Sequence, residues 1–311
     1  MTHKLRFSVQ TAPQETDFKE LRTSWKEIET LGYDCLWMFD HLFPIHSDPS
    51  GPCIEGWTCL TAAAMETTRI RVGVLVSANS YRHPGLLANM AAAVDQLSGG
   101  RLQFSLGGAW NQREHDAFGF SFPPLRERIE RLDEALTICK RLWTEESVTF
   151  SGKHYRLNEA YCSPKPVQKP YPPVMIGGKA KPTLRTVARH ADIWNTFGSP
   201  EIFREKLGIL KEWCAKEGRD FDSIEKSVGL KIEMSGDKSR EEALIQNRMK
   251  AWKLSYESSR GHLLLGEPEA VKDQIAAFHE LGITHIVILM FAPFDMHSLR
   301  VFAEKVMPSY R

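Results

Sequence analysis

An amphipathic helix, a glycine and a long apolar run follow one another near both ends of this chain, and that repeated order narrows the folds open to it. Phe18, Leu21, Trp25 and Ile28 form a helical stripe, Leu31-Gly32 ends it, and Tyr33-Asp-Cys-Leu-Trp-Met-Phe39 follows. Val271, Ile275, Phe278 and Leu281 form a second stripe, Gly282 ends it, and Ile283-Thr-His-Ile-Val-Ile-Leu-Met-Phe291 follows. Glycine closes such helices because it takes the left-handed cap conformation without steric cost. A nearly continuous apolar run is what a parallel strand covered on both faces should show. The repetition is of an αβ unit and not of sequence.

Similar units fill the interval. Leu5, Phe7 and Val9 alternate as a first strand, and residues 33–39 are the second. Residues 70–76 read as a third strand and 101–106 as a fourth, the latter after the stripe Leu86, Met90, Val94, Leu97 and the stop Ser98-Gly99-Gly100. Residues 174–178, 191–195, 224–232 and 283–289 supply four more, separated by helical stripes such as Ile129, Leu132, Leu136, Cys139, Trp143 and Phe203, Leu207, Leu210, Cys214. Eight strands alternating with helices favour a (β/α)8 TIM barrel, with an open doubly wound sheet as the other arrangement such a pattern allows. A barrel needs about 250 residues, and the chain has 311. We expect one barrel domain over 1–311 with a surface insertion at 147–173. There a hairpin signal (Val148-Thr-Phe, Ser-Gly-Lys, His-Tyr-Arg-Leu157) runs into Pro164, Pro166, Pro170, Pro172 and Pro173. Residues 236–240 form a second flexible stretch, followed by a helix placed to cover the site.

The formal charge is +1, from 40 basic and 39 acidic residues, so nothing argues for nucleic acid or an anionic membrane as partner. The six cysteines form no Cys-x-x-Cys pair, which reads as reduced, buried thiols. With no signal-peptide run and no segment of 18 apolar residues, a cytoplasmic location is expected. No His-Glu-x-x-His spacing suggests a metal, no Gly-x-Ser-x-Gly an acyl-transfer serine, and neither a Walker sequence nor Gly-x-Gly-x-x-Gly a nucleotide.

In a barrel, functional side chains belong at the C-terminal strand ends. Strand two ends in Asp40-His41, strand three in Val76, Ser77 and Asn79, and strand four in Gly107-Gly108-Ala109-Trp110-Asn111. Strand five ends in Gly177-Gly178-Lys179 and strand six in Asn195-Thr-Phe. His41 can donate or accept a proton near neutrality, and its place after a buried strand points to a catalytic role. Adjacent strand residues face opposite ways, so Asp40 and His41 need not touch. Gly177-Gly178 with Lys179 and Lys181 before a helix can cradle a phosphate, or form an ordinary solvated loop. Gly107-Gly108 likewise lets backbone approach a ligand or simply turns the chain.

At this point the chain resembles the bacterial-luciferase-like family of flavin and deazaflavin oxidoreductases. The matching segments are Leu36-Trp-Met-Phe-Asp-His41, Asp95-Gln-Leu-Ser-Gly-Gly-Arg101, Leu106-Gly-Gly-Ala-Trp-Asn-Gln-Arg-Glu-His115 and Ala117-Phe-Gly119. They continue with Pro164-Lys-Pro-Val-Gln-Lys-Pro170, Ile176-Gly-Gly178 and Ala188-Arg-His-Ala-Asp-Ile-Trp-Asn195. The resemblance implies a barrel that holds a flavin-like ring at its C-terminal mouth. Asp40-His41 is similar to the pair of the branch that uses the 5-deazaflavin coenzyme F-420 (F420), where the histidine sits by the ring and the aspartate helps bind it. Gly73-Val74 falls where that branch has a non-proline cis peptide backing the ring. Gly177 and Gly178 match its phosphate loop. Ile45 stands where that branch often has a tryptophan.

The expected activity is hydride transfer between F420 and a small organic substrate, with His41 catalytic. Asp40, Gly73, Val74, Val76, Ser77, Asn79, Gly108, Ala109, Trp110, Asn111, Gly177, Gly178 and Lys179 are the expected coenzyme contacts. The alternatives are a two-component monooxygenase using reduced FMN and oxygen, and a flavin-binding protein without turnover. A reductase supplying reduced coenzyme and a homodimer follow from the resemblance alone.

Overall fold

The computed structural model describes residues 4–45 and 47–311. Its centre is a ring of eight parallel strands: β1 (Arg6–Thr11), β2 (Cys35–Met38), β3 (Arg71–Val74), β4 (Leu102–Gly107), β5 (Val174–Gly177), β6 (Ile193–Thr196), β7 (Glu225–Glu233) and β8 (Ile283–Met290). Each strand pairs with the next, β6 pairs β7, and β8 pairs the whole length of β1 through His285–Met290. The ring is therefore closed, and the choice between barrel and open sheet falls to the (β/α)8 barrel. Two short strands decorate it. Ser77–Ala78 pairs the end of β4, and Leu263–Leu265 pairs the end of β7.

The expected strands match these with ends shifted by a residue or two, except the third. Its run of 70–76 breaks after Val74, and pairing resumes at Ser77. Leu263–Leu265 and the helix Gln112–Phe118 were not expected, being too short for a periodic signal. The hairpin pairs Val148–Ser151 with Arg156–Ala160, and Glu134 holds its tip by accepting from the N–H groups of Lys153, His154 and Tyr155 at 2.8, 3.0 and 3.1 Å. Among the described residues no helix is long and apolar enough to cross a membrane.

Two apolar layers follow from the strand pattern. Phe7, Leu36, Val72 and Phe104 face outward onto helices that bring Trp25 and Trp143. Cys35, Trp37, Met175, Ile193, Val287 and Leu289 fill the barrel interior. Below them, at the N-terminal strand ends, polar groups close the floor. The Arg6 guanidinium forms an ion pair with Glu225, Nε donating to Oε1 at 2.9 Å. Ser8 Oγ meets His285 Nε2 at 2.7 Å. Burial and the nearby Arg6 hold His285 well below its ordinary pKa, so it stays neutral.

Candidate active site

The chain leaves β2 as Phe39-Asp40-His41, and the two polar residues part company as alternation requires. Asp40 is buried and accepts from the Ala78 N–H at 2.8 Å. Arg82 grips both its oxygens, at 2.7 and 3.0 Å, and also bonds Glu55. Glu55 in turn accepts from the N–H groups of Trp57 and Thr58, capping the helix Gly56–Glu66. Burial lowers the Arg82 pKa, but Asp40 and Glu55 more than offset it and the net shift is upward. Asp40 thus ties the end of β2 to the segment after β3.

His41 turns the other way. Its Nδ1 meets Glu114 Oε2 at 2.6 Å, and the other oxygen of Glu114 accepts from the Leu42 N–H at 2.5 Å. Tyr81 and Asn111 donate to Oε2 as well, at 2.8 and 2.9 Å. Glu114 is fully buried. Burial alone would raise its pKa, yet the bonds from His41, Leu42 and Tyr81 leave it below the ordinary carboxylate value. A carboxylate so held accepts from Nδ1–H, which fixes the tautomer with its lone pair on Nε2. Among the described residues Nε2 has no hydrogen-bond partner. Phe39 and Trp110 flank the ring, with centroids 4.8 and 5.5 Å away.

Between these groups and the interior lies the break in strand three. The non-proline cis peptide is Leu75–Val76 and not Gly73–Val74, a correction of two residues. Gly73 and Val74 remain in regular pairing with Trp37 and Met38, so the irregular bond falls one step past the last paired residue. Gln10 donates to Leu75 O at 2.9 Å, and Ser105 donates to Val74 O. The Val76 side chain lies between β4 and β5, where a Cβ on Gly107 or Gly177 would come within 2.7 or 2.8 Å of it. Ser77 Oγ accepts from Trp57 Nε1 at 3.0 Å. Asn79 donates to the Tyr155 hydroxyl at 3.3 Å, while its buried Oδ1 has no partner.

Gly178 has φ +130°, and a Cβ there would meet Thr183 Cγ2 at 3.1 Å. The next helix, Lys181–His190, has no side-chain cap and carries Pro182 at its second position, so Lys181 and Thr183 supply the N–H groups of its first turn that can meet an anion. Lys179 turns aside. Its Nζ lies 3.4 Å from Phe197 O and 5.6 Å from the centre of the Trp252 ring. On the other flank Arg128 donates to the carbonyls of Gly108 and Ala109 at 3.1 and 2.5 Å, and Ala109 has φ +57°. Trp110 is 64% exposed.

The family model of luciferase-like monooxygenases matches residues 2–252. The chain belongs to the luciferase-like monooxygenase family. Among curated members, the F420-dependent glucose-6-phosphate dehydrogenase of Microbacterium testaceum is 28% identical, covering 100% of this chain and 99% of its own. The enzyme of the same name from Intrasporangium calvum is 27% identical over 94% of this chain and 95% of its own. Solved structures share the luciferase-like fold. An F420-dependent secondary alcohol dehydrogenase bound to an F420–acetone adduct superposes with a TM-score of 0.88 at 18% identity, covering 99% of this chain and all of that one. The monooxygenase RslO1 of Streptomyces bottropensis gives 0.80 at 24% identity over the same shares.

Asp40, His41, Ser77, Asn79, Gly108, Trp110, Asn111 and Gly178 gather at one rim of this luciferase-like barrel. Gly73 and Val74 lie lower, within β3. Sequence reasoning missed Glu114, Arg82, Tyr81 and Glu55. Glu114 stands inside a segment that carried the family resemblance, and a carboxylate three residues past Asn111 was the available signal. Its bond to His41 joins the loop after β2 to the helix Gln112–Phe118 and leaves no spacing to read. Cys53, whose Sγ donates to His41 O at 3.5 Å, has its thiol pushed up to about 12 by burial and nearby carboxylates, which makes it inert as a nucleophile.

Proposed function

We propose that the protein is an F420-dependent oxidoreductase that dehydrogenates a small alcohol or hemiacetal, or runs that reaction in reverse. The observation that carries this reading is His41, held through Nδ1 by a buried carboxylate with Nε2 left free. The curated relatives named as F420-dependent dehydrogenases support it. The residues also fit the coenzyme. Gly178 leaves a space that a side chain would fill, the helix behind it has free N–H groups, and Asn79 Oδ1 waits at the rim.

The coenzyme, when bound, supplies the hydride acceptor or donor. His41 takes the hydroxyl proton on Nε2 as the carbon–hydrogen pair leaves, and returns it in the reverse direction. Glu114 orients the ring and stabilises the imidazolium that forms. Asp40 with Arg82 fixes the backbone from which His41 projects. Phe39 packs against one side of the His41 ring, Trp110 stands edge-on to it at the mouth, and Gly177 and Gly178 admit a phosphate. We further place the protein in the cytoplasm, from its six free cysteines, as one barrel domain over 1–311 with the insertion 147–173, acting as a homodimer.

A two-component monooxygenase using reduced FMN is the second reading, favoured by the RslO1 neighbour. Separate titrations with F420 and FMN, followed by ring fluorescence, decide between them. Tight F420 and weak FMN binding, with loss of F420 fluorescence on adding an alcohol substrate, is the expected result. The reverse preference would sink the deazaflavin reading and direct the search to a flavin reductase partner.

A further inference from the structure

Three cations stand together on the side of the barrel mouth away from His41. Lys231 lies on β7, Arg248 on the helix Lys238–Trp252, and Lys179 just past β5. Among the described residues none of the three has a carboxylate partner, and their contacts are aromatic instead. Arg248 lies 4.3 Å over the Trp252 ring, Lys179 approaches the same ring at 5.6 Å, and Lys231 lies 4.6 Å over Phe291. Glu205, within electrostatic reach of Lys179, is bonded to Lys206 at 2.7 Å. Arg248 is only 9% exposed.

An uncompensated buried cation is unfavourable, because the lost hydration is not replaced. Burial together with Arg248 pulls Lys231 down to about 8, and burial pulls Arg248 to about 10. His262 stands beside the cluster, within electrostatic reach of Arg248 and Lys179. Its Nδ1–H donates to Ser258 O at 2.6 Å, so its buried, unpartnered Nε2 carries the lone pair and is placed to accept from a hydroxyl of the substrate, not from the anion itself. Its ring packs edge-on to Trp252 at 5.3 Å. An anion at this point would relieve the three cations together.

We infer that Lys231, Arg248 and Lys179 form a subsite for an oxyanion carried by the substrate, a phosphate monoester or carboxylate, held against Trp252, Phe197 and Phe291. This rests on reading the barrel mouth as the substrate site. In the ring of eight, β6 stands opposite β2. A substrate with its reacting carbon at His41 therefore reaches the cluster with its far end. The coenzyme phosphate has its own place at Gly177, Gly178 and the free helix N-terminus.

The test compares the full-length protein with Arg248→Met, Lys231→Met and the conservative Arg248→Lys. Inorganic phosphate and benzoate serve as probes, followed by tryptophan fluorescence and by the rise in unfolding temperature. The parent should bind at least one probe saturably. Each methionine variant should bind it about tenfold more weakly, as expected for losing a charged hydrogen bond, with F420 affinity unchanged. Arg248→Lys should retain most of the binding. Neither probe binding the parent, or equal binding by the methionine variants, would overturn the subsite. So would variants that lose F420 affinity while keeping the probe, because the cluster would then serve the coenzyme's acidic tail. The anion titration is run without coenzyme. A failure of F420 to bind would thus remove the coenzyme reading and leave the anion result standing.

Discussion

His41 and Glu114 are joined at 2.6 Å although 73 residues separate them in the chain. The bond joins the loop after β2 to the short helix after β4 and gives one imidazole nitrogen a fixed partner, leaving the other for chemistry. His41→Ala should lower turnover with F420 about a hundred- to ten-thousand-fold, the usual worth of a general acid or base. Coenzyme affinity should change far less. Steady-state kinetics beside a fluorescence titration separates the two, and undiminished turnover would remove His41 from the mechanism.

Glu114 makes a pH-dependent contribution whose sign follows from its lowered pKa. An unfolded glutamate titrates near about 4.3. Above that value the folded carboxylate is stabilised by its partners, and the stabilisation is lost as pH falls through the lower folded value. The stability difference between the parent and Glu114→Gln should therefore be largest near neutral pH and shrink below pH ~4. Urea unfolding at a series of pH values measures it, and a difference independent of pH would contradict the assignment.

Asp40→Asn breaks the contact with Arg82, a pair whose side chains are 0% and 11% exposed. Breaking a buried ion pair costs about 3–5 kcal/mol. Glu55 remains bonded to Arg82, which puts the expected loss near the lower end, about 3 kcal/mol. Chemical denaturation of the two proteins reads this directly.

Gly178→Val should weaken F420 binding strongly and alter stability as well, because a side chain at φ +130° is strained and points at Thr183. Gly208→Ala, at an open position on an outer helix, is the control expected to leave binding intact. Equal affinity for F420 in Gly178→Val and the parent would take this loop out of the site.

Much of this was legible in the sequence because strands buried on both faces write continuous apolar runs, as at 283–290, and because barrels present function at strand ends, as at Asp40-His41. Closure was not legible, since it depends on β6 reaching β7 and not on any one strand. Nor was the position of the irregular bond after β3, because residues 70–76 read as one uninterrupted run. Arg82 and Tyr81 sit in a polar loop that looks like any other until Asp40 and Glu114 are brought to them. Lys231 carries no signal within the run 224–232, and only the packing of the helix Lys238–Trp252 puts Arg248 near it.

The polar floor of the barrel divides the chain's labours between its two ends. Arg6, Glu225, His285 and Ser8 lock the N-terminal strand ends, a full strand length from His41. Inheritance can therefore act on the two ends separately. Loops at the mouth are free to be lengthened, exchanged or recoded, giving descendants new substrates while the ring still closes. A change at Glu225 or Arg6 would instead weigh on every descendant alike, whatever compound it had come to use.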